Sequence, residues 1–138
     1  MTTLTRRSRP ARTACRIIRS SAANNLAWIH SEHGGEQAKD KALALAQMAK
    51  QVAPDDPFVS CTLGWILYKR GVYQRALALL REGAVRLPDH PELQYHLGMA
   101  AVRTGDKDVA RKALAFAAGS AAVFKGQDEA RKTLAELR

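Results

Sequence analysis

Apolar residues recur at steps of three and four positions along most of the chain, which is the spacing of one face of an α-helix. Near the start, Cys15, Ile18, Ala22, Leu26 and Ile29 form one such apolar stripe. No segment shows the alternation of apolar and polar residues that a half-buried strand requires. The sequence therefore predicts an all-α protein.

Glycine and proline clusters interrupt these stripes. Gly34-Gly35 ends the first helical segment, and the segment 53–57 ends the second, because proline inside a helix removes a backbone hydrogen bond. A loop that contains Gly126 precedes the last apolar stripe. The chain is thus expected to form a series of short helices, the last of which spans about 127–138 and caps the others.

A period of 34 residues runs through the chain, and this period is typical of helix–turn–helix solenoid repeats. Three copies, at about 20–56, 57–90 and 91–124, predict a repeat domain over residues 13–138 behind a disordered tail at 1–12. The small residues of the pattern are expected where two helices approach closely. The residues that carry the repeat are Leu63, Gly64, Gly71, Ala76 and Pro88 in one copy and Leu97, Gly98, Gly105 and Ala110 in the next.

This pattern resembles the tetratricopeptide repeat (TPR), in which large, small and turn-forming residues occupy fixed positions. The resemblance implies an α-solenoid of antiparallel helix hairpins with no catalytic activity. It also implies that the first helices of the hairpins line a concave groove that binds a protein or peptide partner. The groove residues implied here are Asn24, Trp28, Cys61, Trp65, Tyr68, Lys69, Tyr95, Met99 and Arg103. The alternative for Trp28 and Trp65 is packing between neighbouring repeats, away from any ligand.

A narrower resemblance covers residues 22–138. The segments 24–29, 53–57 and 62–66 look like the C-terminal end of bacterial TPR proteins associated with exopolysaccharide production and the PEP-CTERM/exosortase sorting system. This resemblance implies an envelope or polysaccharide context. It also leaves open that the chain is a truncated C-terminal fragment of a longer repeat protein, with a front edge that self-association would cover.

Positive charge is concentrated at the start of the chain. The first 20 residues hold six arginines and no acid, so they carry most of the net charge of +9. Such a tail is an alternative binding element for nucleic acid or an anionic surface. Without aromatic residues among the arginines there is no stacking platform for bases, which makes nucleic acid the weaker alternative.

Catalytic and metal-binding signatures do not occur in the sequence. There is no glycine-rich phosphate loop, no nucleophile elbow and no zinc-protease motif. His30 and His33 are spaced as two metal ligands could be, but a site needs a third ligand nearby. We therefore expect no enzyme, no cofactor, no bound metal and no small-molecule substrate. Without an apolar signal segment or a stretch long enough to span a bilayer, we expect a cytoplasmic location.

Overall fold

The structure is a computed structural model that describes residues 9–137, with side-chain positions from residue 16 onward. All regular secondary structure in these residues is helical, so the all-α prediction is confirmed. The helices are α1 (Arg9–His33), α2 (Glu36–Val52), α3 (Pro57–Lys69), α4 (Tyr73–Arg86), α5 (Pro91–Thr104), α6 (Lys107–Ala118) and α7 (Gln127–Glu136).

The helices pair in chain order as the hairpins α1/α2, α3/α4 and α5/α6, which stack along one axis. The last helix, α7, packs on α6 and α5 and closes the rear of the stack. The apolar core is spread along this axis in successive clusters rather than gathered at one centre, as in other repeat proteins.

Side-chain caps and glycine turns set where the repeated helices begin and end. Asp56 accepts a hydrogen bond from the backbone N–H of Phe58 at the start of α3, and Asp106 caps α6 in the same way. The turns inside the second and third hairpins contain Gly71 and Gly105, both with φ of +81°, a conformation that side chains disfavour. The two hairpins therefore turn alike.

Close contact between hairpin helices explains the small residues of the repeat. A Cβ atom added at Gly64 would lie 2.8 Å from Leu80 Cγ, and one added at Gly98 would lie 2.6 Å from Leu114 Cγ. Ala76 and Ala110 are fully buried. These are the close approaches that the repeat pattern predicted.

Two features of the first helix could not be read from the sequence. It begins at Arg9, so residues 9–12, expected in the tail, belong to it, while residues 1–8 lie outside the described part. The apolar stripe of this helix also lies outside the core, because Ile18, Leu26 and Ile29 are exposed. The buried side chains are one position along, at Ala23 and Ala27.

None of the helices within residues 9–137 is both long and apolar enough to cross a membrane.

Candidate functional site: two cavities on the inner face

Two adjoining cavities open on the inner face, the side of the stack formed by α1, α3 and α5. The front cavity has a volume of about 520 Å³ and the rear cavity about 330 Å³. Trp28, Glu92 and His96 line both cavities and mark their junction. The other residues that line the front cavity include Asn24, Asn25, Phe58, Cys61 and His90, and those that line the rear cavity include Glu32, Trp65, Lys69, Tyr95, Lys125 and Glu129.

A stack of aromatic rings forms the floor between the cavities. The rings of Trp65 and His96 are stacked with centroids 4.0 Å apart, and Tyr68 stacks on Trp65 with centroids 4.6 Å apart. Trp28 lies against His96 with centroids 5.9 Å apart. Such contacts hold large flat side chains in one arrangement, so the walls of the cavities are preformed.

An ion-pair bridge joins the two ends of the stack across the rear cavity. Glu32, at the end of α1, pairs with Lys69 at the end of α3. Its second carboxylate oxygen lies 2.9 Å from the ammonium of Lys125, in the loop between α6 and α7. Burial acts to raise the pKa of Glu32, but its hydrogen bonds and the charges of both lysines outweigh burial and lower that pKa. The bridge therefore stays ionised and holds the rear cavity together.

Cys61 and His96 meet below the front cavity, with Sγ 3.4 Å from Nδ1. A thiol beside an imidazole is the arrangement of a cysteine nucleophile and its base. Here burial raises the pKa of Cys61 to about 12 and lowers the pKa of His96 to about 3. Both groups are therefore neutral near pH 7, and the thiolate that a nucleophile needs is not formed. The pair is a packing contact.

Glu92 differs from the other acids of the cavities in its surroundings. Glu32 has two lysine partners, and Glu129 accepts a hydrogen bond of 2.8 Å from the Tyr95 hydroxyl. No lysine or arginine within the described residues forms an ion pair with Glu92. Burial raises the pKa of this carboxyl, against the opposing charge of His90. The junction of the cavities thus carries an acid that has no lysine or arginine partner within the described residues.

The structure brings together only part of the predicted groove. Trp28, Trp65, Lys69 and Tyr95 line the rear cavity, and Asn24 lines the front one. Trp65 and Tyr95 are almost fully buried, so most of their ring surface contacts other side chains. Lys69 is already paired with Glu32.

The remaining predicted groove residues lie outside the two cavities. Tyr68 stacks against Trp65, and Met99 is buried in the apolar cluster around Trp65 and Tyr95. Arg103 is exposed, with its guanidinium carbon 5.4 Å from the centre of the Tyr73 ring. That Tyr68, Met99 and Arg103 contact a partner therefore stays a prediction.

Several site residues were not identified from the sequence. Glu92 could have been suspected, since it lies in the first turn of a groove-lining helix, but an acid there also fits the helix dipole. Lys125 lies 93 residues from its partner Glu32, so no local pattern signals the bridge. The other residues missed are Glu32, Phe58, His96 and Glu129.

Comparison with known proteins supports the repeat type. No family model matches the chain. A stretch of 58 residues, 42% of the chain, is 40% identical to a TPR repeat-containing protein of Pseudomonas aeruginosa. That match spans only 10% of the relative's length.

The fold is also similar to that in the crystal structure of PcrH in complex with the chaperone binding region of PopD. The TM-score is 0.62 at 17% identity, over 97% of this chain and 96% of that chain. At this identity the likeness concerns the fold, and it confirms the solenoid of helix hairpins. The two findings together support the TPR-type repeat.

Proposed function

We propose that this chain is a non-catalytic scaffold that binds a segment of a partner protein along the front and rear cavities of its inner face. The observation that carries the proposal is the pair of adjoining, preformed cavities with aromatic walls and a carboxyl group, Glu92, that forms no ion pair with a lysine or arginine of the described residues. Aromatic side chains in such sites give large contact areas at low entropic cost, which is why they anchor bound peptides.

The chemistry of the cavities favours a segment with apolar side chains and a lysine or arginine. Phe58 and Trp28 offer apolar surface in the front cavity. A cation placed at the junction would pair with Glu92 and lie beside aromatic rings, which attract cations. The carboxylates of an acidic segment would instead be repelled by Glu92. Likeness to a structure of PcrH with a bound region of PopD is consistent with a protein partner.

The bacterial exopolysaccharide or envelope sorting context is part of this proposal, and it rests on the sequence resemblance of residues 22–138 alone. Deletion of the gene that encodes the chain should then reduce polysaccharide secretion in its host. Unchanged secretion would remove this context while leaving the binding proposal intact.

We expect Glu92→Lys to weaken partner binding by at least about tenfold, because reversing a half-buried charge leaves two cations facing each other. The immobilised full chain and its variants would be used to capture proteins from a cell lysate, with recovery quantified by mass spectrometry. Affinity for a captured partner would then follow from tryptophan fluorescence. Both tryptophans of the chain, Trp28 and Trp65, line the rear cavity, so occupation should change their emission.

Glu136→Lys is the matched control, since it makes the same charge change at an exposed position on α7. Its recovery of partners should equal that of the unmodified chain. Equal recovery by Glu92→Lys would contradict the proposed site, whereas equal losses in both variants would point to a general charge effect.

A further inference from the structure

The exposed front of α1 carries an apolar stripe that the other repeats bury. Aligned on the repeat, Ala22, Leu26 and Ile29 correspond to Val59, Leu63 and Ile66 of α3 and to Leu93, Leu97 and Ala100 of α5. All six counterparts are buried. Leu26 and Ile29, by contrast, are 43% and 54% exposed.

The equivalent residues of α3 and α5 show which kind of surface packs against this stripe. Leu63 and Ile66 pack against Ala42 and Ala46 of the preceding helix, α2. In the next hairpin, Leu97 and Ala100 pack in the same way against the preceding α4. The stripe on α1 is therefore a helix-packing surface that has no helix on it within the described residues.

The rear of the stack cannot supply this helix in a second copy. Ala130 and Leu134 of α7 pack against Leu114 and Ala117, so α7 covers the end of the last hairpin. A second copy could therefore not add its rear hairpin to this front edge. The α1 helices of two copies, however, carry the same uncovered apolar stripe and could pack against each other.

The length of α1 is sufficient for a second α1 to be the covering helix. This helix has 25 residues, whereas α3 and α5 have 13 and 14. The stripe continues beyond the repeat to Ile18, which is 69% exposed. From Ile18 to Ile29 it extends over roughly 17 Å at the rise of an α-helix. A second α1 would cover this length in full, since its 25 residues extend over roughly 38 Å.

Charge selects the direction of such a pairing. Arg16 and Arg19 are exposed near the start of α1, and the end of that helix carries the negative pole of its dipole. An antiparallel pair places these arginines beside the end of the other helix. A parallel pair would bring the two arginine-rich starts together, which is unfavourable.

We propose that this chain forms a two-fold dimer through α1, with the two helices antiparallel, Ile18 of each copy facing Ile29 of the other, and Ala22 facing Leu26. The interface is isologous, so one surface satisfies both copies. The rear cavity lies outside the contact between the two stripes, whereas Ile29 also lines the front cavity, so the dimer interface borders that cavity.

Light scattering coupled to size exclusion on the full chain tests the dimer. The unmodified chain should have twice the monomer mass, and Leu26→Glu/Ile29→Glu should halve it. The control Val85→Glu/Phe116→Glu changes two exposed apolar residues of α4 and α6 and should keep the dimer mass. Circular dichroism should show equal helicity in all three. If the double variant does not fold, Ile18→Glu tests the same face ahead of the repeat and should also lower the mass.

Oxidative cross-linking tests the antiparallel direction in a background with Cys15→Ser. A mixture of Ile18→Cys and Ile29→Cys chains should form the mixed disulfide-linked dimer in excess over either homodimer. A monomer mass for the unmodified chain across micromolar concentrations would overturn the dimer. So would an unchanged mass for the α1 variants. Preferential Ile18→Cys homodimers would overturn the antiparallel pairing.

Discussion

Between pH 6.5 and about pH 3 the folded protein should lose stability at about 1.4 kcal/mol for each pH unit through His96 alone. The cause is its burial against Trp65 and Cys61, which lowers the pKa of His96 to about 3. In the unfolded chain the same imidazole takes up a proton near pH 6.5. The unfolded state therefore binds more protons across this interval, so stability falls as the pH falls.

Replacement of the imidazole isolates its share of this acid sensitivity. His96→Phe keeps a flat ring against Trp65 but cannot titrate, so its stability should fall less steeply below pH 6.5. Urea unfolding at a series of pH values measures the difference in slope. Leu93→Val is the matched control, because it changes a buried apolar side chain and should lower stability equally at every pH. Parallel curves for His96→Phe and the unmodified chain would contradict the buried neutral imidazole.

Gly98→Leu should destabilise the fold by about 2–3 kcal/mol through overpacking. A Cβ at this position would lie 2.6 Å from Cγ and 2.7 Å from Cδ2 of Leu114, which is fully buried. Either the Leu114 side chain leaves its rotamer or α5 and α6 separate. The free energy of unfolding in urea gives the cost directly.

Gly35→Leu provides the matched glycine substitution, since no atom lies within 4 Å of a Cβ built there and its φ is −75°. Its effect should stay within about 1 kcal/mol, the scale of a changed helix N-cap. Removing the obstructing side chain in Gly98→Leu/Leu114→Ala should cost less than the sum of the two single changes. Strict additivity would mean that the two positions do not touch.

The repeat could be predicted from the sequence because its signal is local and steric. A glycine at 64 and 98, with a buried alanine at 76 and 110, reports helix contacts that recur at one fixed offset. The turn glycines mark the same hairpin geometry twice. Because glycines and alanines recur together at this offset, the sequence predicts the stacked hairpins even though contacts between distant residues are unknown.

The burial of α1 could not be predicted in the same way. Periodicity identifies which residues share an apolar face, but it does not say whether another helix covers that face. In the later repeats the preceding hairpin covers it, and in α1 the small residues Ala23 and Ala27 face inward instead. The sequence of α1 therefore identifies its apolar face, but not that this face is the exposed one.

Only part of the candidate site could be predicted from the sequence, for a related reason. Its aromatic members follow from repeat positions, but its charges come from segments far apart. Lys125 reaches Glu32 because α7 and its loop return over the open side of the stack, which no repeat position encodes. That return also explains the burial of Tyr95, whose ring contacts Phe124 and whose hydroxyl bonds Glu129.

Site-specific photo-cross-linking shows whether partners bind on the inner face. The chain offers two matched positions: Phe58, 53% exposed in the front cavity, and Phe116, 43% exposed in the cavity between α4 and α6. A photoreactive phenylalanine analogue would replace each residue in turn in the full chain, in cell lysate. We expect cross-linked partners from position 58, their loss on adding Glu92→Lys, and few or none from position 116. Cross-links mainly from position 116, or equal ones from both that Glu92→Lys does not change, would contradict the account.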